Sequence, residues 1–337
     1  MFNSAAEAKI ETIKRLMIES EIDPPVTLAE VERLLSHLAP QLWLGPAEGD
    51  DTRLGCTRLG GGPDLPQGTA WPLRPVPADA DKKIAELGQH FAWIARQVGR
   101  ELPFEFLAQI DLSENATDAT ALGLPDSGRL LFFWDGVLGL TFDGPSSCRV
   151  IWDRSPIETL ERVAVPPVME ELEAAYDPTG KFKKPYLYLS RPMRLESILH
   201  LPHAHTCDML ADEALSNRLG DFSFVLAYNQ LLRGETGMRK RPDYRARRQR
   251  LMGTPEPEQR DPRLHAIDKS DFPPVPWPPE TIRLAMLRGL EWQMLLQLDL
   301  GGLAQNDLGN GTVYFLIRRD DLSRRDFSRV HAVHQST

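Results

Sequence analysis

The sequence predicts an α+β chain, mainly β, with an internally duplicated antiparallel β-rich core and with N-terminal and inserted helices. Three observations predict it: dense proline punctuation, short apolar runs of strand length, and sequence blocks that recur in order. Proline supplies 28 of 337 residues, about 8%, where about 5% is usual. Prolines interrupt helices and central strands, so the chain reads as many short elements joined by stiff turns. A hydrophobic fraction of 42% at this length supports a sizeable core and excludes a disordered chain.

The first forty residues read as helical. Ser4-x-x-Glu7 and Thr27-x-x-Glu30 match the capping-box pattern. Behind them Ile10, Ile13 and Met17, then Leu28, Val31, Leu35 and Leu38, recur at helical spacing. Pro24-Pro25 separates the two helices and Pro40 follows the second. The polar face of the first mixes Glu with Lys and Arg, which favours packing on the chain's own core over lying on a membrane.

From Gln41 the texture changes to short apolar runs between Gly and Pro. Phe104–Leu112, Arg129–Trp134 and Arg149–Trp152 are strand-like in length and composition. The turn chemistry of Pro125-Asp126-Ser127-Gly128 separates the first two. Between residues 156 and 245 come a strand-like Tyr186–Ser190 and helix-like Asp208–Leu219 and Phe222–Leu232. Further on, Gln293–Leu300 and Thr312–Ile317 return to the strand texture, with Asn310-Gly311 as a turn before the second.

The echo between the two ends extends to residue identity. The block Arg58–Gln67 aligns with Arg250–Gln259, identical at five of ten positions, with Asp64 opposite Glu256. Gln109-Ile110-Asp111-Leu112 aligns with Gln297-Leu298-Asp299-Leu300, Gly128 with Gly311, and Arg149-Val150 with Arg329-Val330. The offsets are 192, 188, 183 and 180, so the blocks keep their order. The expected organisation is an N-terminal helical segment (1–40), a first β-rich half (41–155), a helical and loop insertion (156–245) and a second β-rich half (246–337). The halves are expected to form one compact domain.

The motifs also resemble a known family. Thr57–Pro66 followed by Trp71-Pro72 is similar to the opening signature of the YwqG-like family, a domain of unknown function (DUF1963). Phe106–Leu112 followed by Leu124–Phe133, and Trp292–Asp299 followed by Val313-Tyr314-Phe315, are similar to its later blocks. The family often has Trp-Gly-Asp before its last strand, where this chain has Leu308-Gly309-Asn310. The second Gly-Pro block also departs, with Thr254 and Glu258. The resemblance implies a mixed, mainly β fold in a bacterial-type soluble protein and carries over no catalytic residue.

Charge and cysteine usage narrow the function classes. With 39 Lys+Arg against 48 Asp+Glu the chain is acidic, net −9, so no nucleic-acid partner is expected. No apolar run reaches the length of a membrane span, and the N-terminus has no signal-peptide pattern. Three cysteines, Cys56, Cys148 and Cys207, cannot all pair, and a reduced cytoplasmic setting is expected. Seven of the twelve residues from Arg239 to Arg250 are basic. They read either as a polyanion contact or as a solvated connector pairing with surface carboxylates.

The candidate ligand-binding residues are Gln109, Asp111, Gln297, Asp299, Asp64 and Trp71. In a strand, residues two apart share a face, so each Gln-x-Asp unit presents both groups together. If the halves pack about a pseudo-twofold, the two units could converge on a polar ligand or a cation. The competing reading is that each satisfies buried backbone groups. Trp71 and Trp292 are expected to pack over turns. His203, His205 and Cys207 are the one metal-like set, their string resembling H-x-H-x-D-H with Cys207 and Asp208 out of place. Solvent-facing loop residues before a helix are the expectation there, with no cofactor. The sequence therefore points to a non-catalytic protein- or ligand-binding module, whose partner is another protein, such as a toxin in an immunity-type role, or a small polar ligand. The alternative is a hydrolase or cation-dependent enzyme with its site between the two halves.

Overall fold

The computed structural model describes residues 10–11, 14–15, 17–19, 25–49, 53–87, 91–176, 188–233, 248–268, 270, 272–273, 276–304 and 311–336. Its centre is one ten-stranded sheet, antiparallel throughout. The strands are β1 (Ala39–Pro46), β2 (Arg58–Leu59), β6 (Glu105–Asp111), β7 (Arg129–Trp134), β8 (Cys148–Asp153), β10 (Arg191–His200), β11 (Arg250–Leu251), β12 (Trp292–Asp299), β13 (Thr312–Arg318) and β14 (His331–Gln335). Their spatial order is β14-β13-β12-β11-β1-β10-β2-β6-β7-β8. Two small ladders flank it: β3 (Asp64–Pro66) with β9 (Leu160–Arg162), and β4 (Leu73–Arg74) with β5 (Leu102–Pro103).

The order has two matching ends. β2-β6-β7-β8 forms a first module and β11-β12-β13-β14 a second, with β1 and β10 paired between them. Registers correspond position by position: Gln109 faces Leu131 as Gln297 faces Tyr314, and both ladders slip once, at Phe106/Ala108 and at Met294/Leu296. One alignment from the sequence is corrected by register. Phe133 pairs Arg149, and Leu316, which takes Phe133's place, pairs His331. Arg149 therefore corresponds to His331 and not to Arg329, because pairing rather than residue identity sets the register.

The segment 156–245, expected as helix and loop, supplies β10 to the middle of the sheet, where eight residue pairs join it to β1. Tyr186 lies outside the described residues, Tyr188–Ser190 has no strand structure, and the strand begins at Arg191. Asp208–Leu219 is broken into helices Cys207–Leu210 and Ser216–Leu219 around a 3-10 turn, Glu213–Leu215. Phe222–Arg233 is one helix.

The two ends of the sheet approach each other. Gly144, just before β8, and Ala332 in β14 exchange both backbone bonds, at 3.0 and 3.3 Å. The turn Pro145–Ser147 lies against β14, with Ser147 Oγ 3.4 Å from the Ala332 carbonyl. Reciprocally, the turn Phe327–Arg329 lies against β8, Phe327 meeting Trp152 edge-on at 6.1 Å. Each module thus covers the other's exposed edge, which removes two templates for pairing with foreign strands. Inside, Leu42, Leu59, Ile110, Leu251 and Leu298 form the main core. The corresponding residues Phe132 and Phe315 touch within it, edge-on at 5.2 Å. Side chains of this size contribute about 1.5–3 kcal/mol each when buried.

Helices cover the outer faces. Ala80–Leu87, Ala92–Val98 and Pro167–Tyr176 pack on Phe106 and Phe133 of the first module. Pro279–Gly289 and Arg263–Ala266 pack on Met294, Tyr314 and Leu316 of the second. The helix Leu28–Leu35 carries the predicted capping box, Thr27 N–H donating to Glu30 at 2.7 Å and Glu30 N–H to Thr27 Oγ1 at 3.3 Å. Its buried Val31 and Leu34 meet Leu201, Met209 and Phe224, so the N-terminal helices do pack on the chain itself. Ser4, Glu7 and Ile13 lie outside the described residues. Among the described residues no helix is long and apolar enough to cross a membrane.

Candidate functional site

The paired Gln residues hold matching staples. Gln109, fully buried, accepts from the Asp64 amide at 3.0 Å and donates to the Cys56 carbonyl at 3.0 Å. Gln297 accepts from the Glu256 amide at 2.8 Å and donates to the Arg248 carbonyl at 3.0 Å. Beside them Arg58 pairs with Asp64 at 3.1 Å and Arg250 with Glu256 at 3.0 Å. The Asp111 amide donates to Thr57 Oγ1 and its carboxylate caps the next turn at Ser113. Likewise the Asp299 amide donates to Gln249 Oε1 and its carboxylate caps Gly302. A left-handed turn follows each Arg-Leu pair: Gly60 and Gly61 at φ 66° and 74°, Met252 and Gly253 at 63° and 86°. At Gly60 a Cβ would sit 2.5 Å from the Leu189 carbonyl, so only glycine fits.

These bonds decide how the groups behave. Burial alone would raise the Asp64 carboxyl. Hydrogen bonds from Arg162, the charge of Arg58, and bonds from Gln109 and the Gly55 amide outweigh it and hold Asp64 below the usual carboxylate range. The expected convergence of the two Gln-x-Asp units does not occur. Four strands separate β6 from β12, and the residues facing Gln109 and Gln297, Leu131 and Tyr314, belong to the outer clusters of different modules.

Trp71 lies in the first module's outer cluster, donating to the Phe104 carbonyl at 2.8 Å and meeting Phe133 edge-on at 6.1 Å. His203 and Cys207 are buried, and only His205 of the metal-like set faces solvent. The Cys207 amide donates to Asp261, and burial pushes its thiol far up. Among the described residues no three His, Cys, Asp or Glu side chains gather as a metal site would. Of the basic run, Arg248 and Arg250 are buried and paired internally with Glu258 and Glu256, while residues 239–247 lie outside the described residues.

A concave feature sits elsewhere among the described residues, on the outer face of the first module. A cleft of about 540 Å³ opens between β4, Phe104, the turn after β7 and the loop into β8. Phe104, Leu138, Phe142 and Ile151 give it apolar walls. The buried Arg74 braces one side, donating to the carbonyls of Gln97 at 3.0 Å and Val98 at 3.3 Å and pairing with Asp135 at 2.8 Å. Asp135 also accepts the amides of Val137 and Leu138, each at 3.0 Å, which shapes the turn. Lys83 lies 4.4 Å above the Phe142 ring and 3.0 Å from Asp79. Exposed Leu73 and Val76 extend the apolar surface beside it.

The groups in the cleft that could attack a substrate are held otherwise. Ser147 Oγ donates to the Gly144 carbonyl at 2.8 Å. Cys148 Sγ donates to the Val330 carbonyl at 3.3 Å, and burial pushes its thiol up to about 12. Arg149 is exposed, and its guanidinium makes no hydrogen bond or ion pair among the described residues.

The second module shows the same position closed. Trp292 takes the place of Phe104, Arg318 that of Asp135, His331 that of Arg149 and Val333 that of Ile151, as the registers require. Trp292 packs on His331 at 5.0 Å and under the Arg318 guanidinium at 5.7 Å. Ile267 and Phe272 close in from the covering loop, and the pocket beside Trp292 and Arg318 is about 100 Å³. A larger aromatic and a shorter imidazole, whose pKa burial lowers, fill one copy; a smaller aromatic and an outward Arg leave the other open. Sequence reasoning missed the cleft, although Arg149 and Arg329 drew notice as an alignment pair.

Two comparisons with known proteins bear on the chain. The family model for a domain of unknown function (DUF1963) matches residues 57–335. No curated protein matches.

Proposed function

The chain belongs to the DUF1963 family, and we propose that it is a non-catalytic binding protein whose receptor site is the cleft of the first module. One observation carries this reading. Two modules share staples, turns and registers, yet one keeps about 540 Å³ where the other is packed to about 100 Å³. The matched geometry supports descent from one duplicated unit, with one copy specialised for packing and the other for binding. A cleft of this size and apolar character suits a small ligand. Of the two kinds of partner expected from sequence, another protein or a small polar ligand, this reading assigns a small molecule.

The bonding of Ser147 and Cys148 supports binding over hydrolysis, because a nucleophile needs an adjacent base or a lowered pKa. The Gln109 and Gln297 staples serve as scaffold in this account, their polar atoms already committed. Ligand-observed NMR with a mixed library of small neutral, anionic and cationic fragments tests it, comparing wild type with Ala70→Trp, which fills the cleft from its rim. Hits that vanish in the variant are expected. No hits, or hits indifferent to the substitution, contradict the proposal.

A further inference from the structure

Charge pairing around the cleft points to the class of ligand. Four charged side chains line it: Arg74, Lys83, Asp135 and Arg149. Arg74 is matched by Asp135 inside the wall. Lys83 is matched by Asp79 at the rim and faces Phe142. Arg149 is the remaining cation, and its β8 neighbour on the same face is Ile151, an apolar wall residue. Its guanidinium faces outward beside the apolar hollow on a chain of net charge −9, where carboxylates outnumber cations.

The second module shows what the position does without a ligand to hold. There His331 turns onto Trp292 and fills the space. A guanidinium cannot substitute for that packing without burying its charge, and here it stays exposed beside an open floor of Phe104, Leu138 and Ile151. We infer that the cleft binds a small molecule with an apolar body and a single carboxylate, the body seated on Phe104 and Ile151 and the carboxylate paired with Arg149. This rests on the binding reading above. A guanidinium forks onto a carboxylate through two parallel N–H···O bonds, which fixes orientation as well as charge. With one unmatched cation, a monoanion is neutralised, whereas a dianion would carry excess charge into the apolar hollow.

Calorimetric titration of decanoate, decanol and decylamine, three probes with one alkyl chain and different heads, tests the class. Wild type is expected to bind decanoate most tightly. Arg149→Gln should weaken decanoate by about tenfold or more, about 1.4 kcal/mol per decade, and leave decanol nearly unchanged. Arg149→Lys should recover part of the loss, and Ala70→Trp should abolish binding of all three. Equal affinity for decanoate and decanol, both lost in Ala70→Trp, overturns the carboxylate assignment and leaves the cleft standing as a site. Tighter binding of decylamine, or no binding by any probe, also overturns the assignment, while the fragment experiment still judges the cleft. Decanoate binding indifferent to Ala70→Trp overturns both readings.

Discussion

Replacing Gln109 by Leu tests whether the staple is structural. The substitution keeps the volume nearly constant and removes three hydrogen bonds. It orphans the Asp64 amide and the Cys56 carbonyl, both buried, and takes one donor from the Asp64 carboxylate at 2.9 Å. Each orphaned buried group costs about 1–3 kcal/mol, so a loss of about 4 kcal/mol is expected. That is a large share of a typical total of about 5–15 kcal/mol. Gln297→Leu orphans the equivalent Glu256 amide and Arg248 carbonyl. It should cost about 1 kcal/mol less, since among the described residues Gln297 makes these two bonds where Gln109 makes three. Urea unfolding followed by tryptophan fluorescence gives both values from the midpoints. A cost below about 1 kcal/mol for either variant, or a large cost for only one, would refute the shared-staple reasoning.

Three other expectations follow from named groups. Asp64, Asp153 and Asp261 are held below the usual range despite burial, through Arg162 and Arg58, through Arg129 and Ser155, and through Arg263 respectively. A lowered folded pKa contributes stability that is full above the unfolded value of about 3.9 and lost as pH falls through the folded one. Denaturation midpoints should therefore fall steeply below about pH 4, and Asp64→Asn should lower stability at neutral pH and flatten that acid limb. All three cysteines are buried and none is in a disulfide, with the Cys148 thiol up at about 12. Labelling with a thiol reagent at mildly alkaline pH should show no fast-reacting group until denaturant is added, and one rapid equivalent in the native state would contradict this. Thr27→Ala removes the Oγ1 that accepts from the Glu30 amide and donates to the Glu30 carboxylate and should cost about 1 kcal/mol. Glu30→Ala should cost more, because Glu30 also holds Arg218 at 2.7 Å; urea midpoints rank the two.

Strands β6, β7, β12 and β13 were readable because both faces are buried. Arg129–Trp134 is buried at every position, and such a continuous apolar run bounded by turn residues announces itself. β10 was not readable. Its sequence, RPMRLESILH, includes Pro192, Arg194 and Glu196 and is mostly half-exposed. Its partner β1 holds Pro40, Gly45 and Pro46 about 150 residues earlier, and pairing at that distance leaves no local periodicity. The Gln109 and Gln297 pattern was visible, but not its use, since identical residues could either meet a ligand or close a turn. The cleft was invisible because Ala70, Phe104, Asp135 and Arg149 come from four segments. Among the exchanges that distinguish it from its closed copy are Phe104 for Trp292 and Arg149 for His331, whose meaning depends on register.

The account centres on an open first-module cleft and a filled second-module counterpart. Hydrogen–deuterium exchange of the whole chain, with and without saturating decanoate, reads both positions at once. Protection is predicted at residues 70–77 and 142–149, with residues 264–268 and 331–335 unchanged. Protection confined to the second module, or none at the cleft while decanoate is bound, would contradict it.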